Sequence, residues 1–160
     1  MMRRIEPMRF EIKFIVVLMA VLTLASIAGA QDGSKRLTQD EIGGIAASGA
    51  GAGTSGVNGI KTRILKGDPT KPGLYTIQLT IPANTRIQAH EHPDDRVATV
   101  ISGTWFIGYG LVFDEKRLKA LKIGSFYTEP PGLAHFAKTG KTAVVIQITG
   151  FGPTGTEYIK

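Results

Sequence analysis

Cysteine is absent from the 160 residues. That one absence excludes disulfides, thiolate-held zinc, iron–sulfur clusters and thiol nucleophiles. Histidine is scarce, at three residues, so any metal would have to rest on those three and on carboxylates. No phosphate-cradling loop is present: the Gly-rich stretch 49–59 does not join a strand to a helix in the required order. Lysine and arginine outnumber the acidic residues, 19 to 13, for a net charge of +6. The excess forms no block and no basic–aromatic stripe, which speaks against nucleic-acid binding. No internal repeat is found. What is there is ordinary for a folded chain about one domain long: 42% apolar, 20% charged and 8% aromatic residues, with 20 glycines.

The N-terminus has a character of its own. Arg3, Arg4, Arg9 and Lys13 stand against Glu6 and Glu11, residues 14–25 are apolar apart from one Thr, and Ala28-Gly29-Ala30 follows. This order predicts an export signal over residues 1–30, cleaved after Ala30, with Met8 as an alternative start. An uncleaved anchor is the competing reading, although the apolar run is short for a span. Cleavage removes four cations and two anions and lowers the charge from +6 to +4. The mature protein is then expected in a periplasm or outside the cell, free of the membrane, where a cysteine-free chain needs no oxidative folding.

Residues 31–59 read as a flexible N-terminal arm, either linker or lid. Thr38 and Glu41 have the spacing of a capping box, but Gly43 and Gly44 weaken the helix they would start. Residues 43–59 are mostly Gly, Ala, Ser and Thr, which lose much entropy on ordering and bury little. From residue 60 to 160 the pattern is that of strands: 74–81, 86–92, 97–102, 104–112 and 142–149, with Gly, Pro, Asn and Asp between them. One short helix is predicted over 114–121, capped by Asp114. Many short strands with regular turns predict an all-β sandwich or barrel.

The three histidines fall in two segments. His90 and His92 are separated by one residue, and on a strand such a pair shares a face. Glu91 then points away, and Gln88 shares the histidine face, in reach of a bound water or substrate. His135 follows the turn Pro130-Pro131-Gly132. Three imidazoles meeting in one barrel would make a metal site with open positions; hydrogen-bonded structural histidines are the alternative.

These segments carry a family resemblance. Residues 84–103, NTRIQAHEHPDDRVATVISG, resemble the first cupin motif, G-x5-H-x-H-x(3,4)-E-x6-G. Asn84 stands at its first Gly, His90 and His92 at the His pair, and Gly103 at its last Gly. Residues 124–139, GSFYTEPPGLAHFAKT, resemble the second motif, G-x5-P-x-G-x2-H-x3-N, with Gly124, Pro130, Gly132 and His135 in register. The resemblance implies an all-β double-stranded β-helix, the jelly-roll cupin barrel, with one divalent metal (Fe, Zn, Mn or Ni) in its mouth on His90, His92 and His135. It is similar to the compact single-domain bacterial cupins, which implies a homodimer. Thr139 stands in place of the motif's Asn, and Asn84 suits a left-handed backbone as Gly does.

The informative departure is Arg96, seven residues before Gly103, where the motif places its Glu ligand. Three neutral imidazoles, a divalent cation and a guanidinium would put about three positive charges in one pocket, which is costly when dry. Three arrangements relieve this. An anionic substrate bridges metal and Arg96; Arg96 turns aside to Asp94, Asp95 or a neighbouring strand; or no metal binds and the cluster takes an anion directly. Glu129, just before Pro130, offers a substitute carboxylate if it turns inward. Gln147, amid an apolar strand, is either a partner beside the site or a structural hydrogen bond.

Two functional readings remain open from the sequence. One is a metalloenzyme (dioxygenase, isomerase or lyase) acting on a small organic acid, diketone or enolisable compound. The other is a metal-free binding module for a small anionic or sugar ligand. A third, a protein that keeps the motif as a relic of its fold, has no feature of its own to support it.

Overall fold

The computed structural model describes residues 34–160; the export-signal reading, on residues 1–30, lies outside them. Residues 37–160 form one compact unit. Ten strands make it up: β1 (Lys61–Lys66), β2 (Gly73–Ile81), β3 (Arg86–Glu91), β4 (Arg96–Ser102), β5 (Trp105–Tyr109), β6 (Lys119–Leu121), β7 (Phe126–Glu129), β8 (His135–Thr139), β9 (Val144–Gly152) and β10 (Glu157–Tyr158). They form two five-stranded antiparallel sheets, ordered β1-β2-β9-β4-β7 and β10-β3-β8-β5-β6. The all-β expectation holds. Among the described residues no helix is long and apolar enough to cross a membrane.

Alternation builds the core. Tyr75, Ile77, Leu79 and Ile81 of β2 face inward, as do Val144, Ile146 and Ile148 of β9 and Ala98 and Val100 of β4. Trp105 and Ile107 of β5 and Ala137 of β8 meet them from the second sheet. Each fully buried aliphatic side chain of this kind contributes about 1.5–3 kcal/mol. At the motif positions, Asn84 does adopt a left-handed backbone, with φ 55°. Gly103, at φ 78°, has no room for a side chain: a Cβ would lie 2.7 Å from the Ala143 carbonyl oxygen.

Two local expectations change. The helix predicted over 114–121 is one 3-10 turn, Glu115–Arg117, with Asp114 Oδ1 accepting from the Lys116 N–H at 2.9 Å. The chain then leaves the helix because Lys119–Leu121 pairs with β5 and buries Leu121. The N-terminal segment is the second. The Thr38–Glu41 capping box forms and starts α1 (Gln39–Gly44), which buries nothing. Beyond it the stretch expected to be loose is anchored. Arg63 Nε donates to the Ile45 carbonyl, Ser48 bridges to Thr62, and Thr54 and Ser55 are buried. Backbone carbonyls, which composition does not reveal, provide most of these anchors.

Candidate metal centre

His90 is the last residue but one of β3 and His135 opens β8, and the two are directly opposed in the ladder. His92 lies just past β3. All three rings are buried, with one nitrogen from each lying within 4.8 Å of the others. The other nitrogen is committed. His90 Nδ1 meets the Gln88 carbonyl at 2.7 Å, His92 Nδ1 the Gly155 carbonyl at 2.5 Å and His135 Nδ1 the Leu133 carbonyl at 3.0 Å. A carbonyl only accepts, so each Nδ1 carries the proton and each Nε2 is left with a lone pair. His92 Nε2 and His135 Nε2 are buried with no hydrogen-bond partner. Burial, with His135 adding to it, pushes the His90 pKa down to about 4. Burial and then Arg96 push His92 down to about 3. Converging neutral imidazoles fixed from behind by carbonyls are the donor set that a divalent cation takes. A metal therefore fits these residues.

Opposite the rings lies a buried ion pair. Arg96 and Glu129 are directly opposed in the β4–β7 ladder and are 2% and 4% exposed. Arg96 donates from Nε to Glu129 Oε2 at 2.8 Å and from Nη2 to the same oxygen. Its Nη1 donates to the Gly53 carbonyl at 3.0 Å, tying the N-terminal segment to the site. Glu129 is turned inward, with Oε1 3.5 Å from His135 Nε2 and Oε2 3.8 Å from His92 Nε2. Burial raises the Glu129 pKa, but Arg96, His135 and His92 together outweigh it and hold it at about 2. Burial likewise opposes the Arg96 charge, and Glu129, Tyr75 and Asp94 together more than offset it. Of the expected arrangements, Arg96 takes the pairing with a neighbouring strand, through Glu129 of β7, and is neither hydrogen-bonded to Asp94 or Asp95 nor free for an anion. Asp94 Oδ2 instead accepts from the Tyr75 hydroxyl at 2.7 Å. Gly150, opposite Arg96 on β9, makes room for that bond: a Cβ there would lie 2.6 Å from the Tyr75 oxygen.

Two expected residues lie elsewhere. Gln88 is exposed, because an irregularity between Ile87 and His90 shifts the face of β3. It contributes only its carbonyl, to His90. Gln147 sits on the outward face of β9, between inward-facing Ile146 and Ile148, opposite Gln78 and Thr99. One residue not expected is Ser55, whose buried hydroxyl has no partner and lines the cavity beside the histidines. The cavity measures about 30 Å³, room for one or two waters. Its remaining wall is mostly aliphatic, including Ile60, Leu79, Ile81 and Ile148.

Sequence comparison matches the chain to no family and to no curated protein. Structure comparison does find similar folds. A Klebsiella pneumoniae protein with a double-stranded β-helix domain superposes over 79% of this chain and 98% of its own, with TM-score 0.55 and 20% identity. The fold is a cupin barrel. An RmlC-like cupin from Shewanella frigidimarina aligns over 74% of this chain and 91% of its own, at TM-score 0.53 and 18% identity. The DMSP lyase DddQ from Ruegeria pomeroyi aligns over 62% of this chain and 51% of its own, at TM-score 0.52 and 16% identity. The cupin region of this chain spans about half the length of the DMSP lyases it matches.

Proposed function

We propose that this cupin is exported, holds one divalent metal (Fe, Zn, Mn or Ni) on His90, His92 and His135, and acts on a small organic acid, diketone or enolisable compound. The observation that carries the metal reading is the set of three Nδ1–carbonyl bonds, which leave three Nε2 lone pairs converging among buried side chains. When bound, the metal supplies a Lewis acid for an oxygen of the ligand. The chain supplies the rest. The backbone carbonyls of Gln88, Leu133 and Gly155 hold the rings in one tautomer. The aliphatic wall limits water, and the free Ser55 hydroxyl is placed to hydrogen-bond a small ligand. The size of the cavity supports a compact ligand, and anything larger requires the segment around Gly53 to shift. Export rests on the order of charged, apolar and small residues over 1–30.

The test is metal content per chain in untagged protein isolated from its native compartment. Near one equivalent is expected, with Gln31 as the first residue of the mature chain. His90→Ala and His135→Ala should each abolish stoichiometric metal. No metal even after anaerobic reconstitution would favour the binding-module reading.

A further inference from the structure

We infer that Glu129 is the anionic ligand of the bound metal, standing in from β7 for the glutamate whose motif position on β4 is held by Arg96. The inference rests on the metal reading above and deepens it. Three observations carry it. First, the ladder register places residues 96 and 129 directly opposite each other, so a carboxylate moved from one to the other stays beside the same cavity. Second, the Glu129 oxygens lie 3.5 Å and 3.8 Å from the Nε2 atoms of His135 and His92. With the Nδ1 protons committed to carbonyls, both partners are acceptors facing each other with no proton between them. Arg96 offsets this repulsion at Oε2 only, so a cation between Oε1 and the His135 Nε2 would relieve what remains. Two ligands about 2.1 Å from one metal at a tetrahedral angle stand roughly 3.4 Å apart, close to the 3.5 Å between His135 Nε2 and Oε1, the oxygen that Arg96 leaves free. Third, Glu129 divides its work. Oε2 receives two donors from Arg96, while Oε1 has none from it.

The division has a chemical consequence. A carboxylate half-neutralised by a guanidinium donates less charge than a free one. The metal therefore binds less tightly and keeps more of its own charge for the ligand's oxygen. Arg96 is the positioning residue in this arrangement, setting the donor strength of Glu129 without touching the metal.

The sign of two substitutions tests this. Apo-protein is titrated with Zn²⁺ alone against a competing chelator, with circular dichroism as the folding control. Glu129→Gln should weaken Zn²⁺ binding by at least about tenfold, and Arg96→Gln should tighten it by about tenfold, on the scale of groups that tune metal ligands. Structural damage alone would weaken both, and that outcome overturns the inference. Wild-type affinity in Glu129→Gln also overturns it, while leaving the three-histidine site standing. A wild type that binds no Zn²⁺ or Co²⁺ removes the metal reading itself. Should either variant fail to fold, the wild type suffices: the ¹³C carboxyl resonance of one glutamate side chain should move at one equivalent of Zn²⁺, and none moving overturns the inference.

Discussion

The two ends of the barrel interior are built by the same strands and obey opposite rules. At one end Val100 of β4, Ile146 of β9 and Leu79 of β2 lie in register and bury hydrocarbon, the last two also forming the cavity's apolar wall. Four residues back along β4 the register brings together Arg96, Glu129 and Gly150, with Tyr75 and Asp94 beside them and the histidines across the cavity. The first end stabilises the fold through burial. The second holds buried charge and unpartnered Nε2 atoms, which cost stability. The difference separates what folds the molecule from what its site is for.

The largest effect should come from breaking the charged end. Arg96→Met leaves the Glu129 carboxylate buried and alone and should cost about 3–5 kcal/mol in denaturant unfolding. Replacing both, Arg96→Met with Glu129→Leu, should recover most of that loss, because a buried ion pair is often no better than a packed hydrophobic pair. If the double variant stays as unstable as the single, the charged end is contributing to the fold after all. At the apolar end Val100 is buried and does not line the cavity; Val100→Ala should cost about 1–3 kcal/mol, with Zn²⁺ affinity unchanged. A large loss of affinity there would show that the two ends are not separable.

Of the two ends, acidification should act on the polar one. His90 and His92 titrate at about 4 and about 3 in the fold, below their ordinary value of 6.5. The unfolded chain takes up their protons first as pH falls. Their contribution is full above about pH 6.5 and is lost as pH drops through 4 and 3, at roughly 1 kcal/mol per pH unit for each ring. Glu129, held at about 2, adds a second loss below its ordinary 4.5. Denaturation midpoints of metal-free protein should thus fall steadily from pH 6.5 downward. Midpoints flat to pH 4 would mean that the rings are not buried neutral. The smallest effect belongs to the residues that face away: Gln88→Ala and Gln147→Ala should each stay within about 0.5 kcal/mol, with metal affinity unaltered.

How far the sequence could be read follows the same division. The apolar end was legible because β2 and β9 alternate plainly, and the histidines because two spaced segments hold all three. Gln88 was misplaced because alternation from His92 was carried back past an irregularity. Ile87 and Ala89 both face inward, a phase at odds with His90, and that clash was the available signal. Gln147 was read as interior although Val144, Ile146 and Ile148 already fix the opposite phase. Ser55 lay hidden in a Gly-rich stretch whose anchors include Arg96 Nη1 on Gly53, Thr156 on Thr54 and Tyr158 on Ser55, all carbonyls of the main chain. Glu129 was legible as a residue but not as a partner of Arg96, since that depends on which strand β4 pairs with.

The metal site rests on three imidazoles, and the chain contains no others. A long-range ¹H–¹⁵N spectrum of metal-free protein near neutral pH should contain three rings, each protonated at Nδ1 only. One equivalent of Zn²⁺ should move all three Nε2 resonances together. Rings protonated at Nε2, or Nε2 signals that ignore Zn²⁺, would contradict the account.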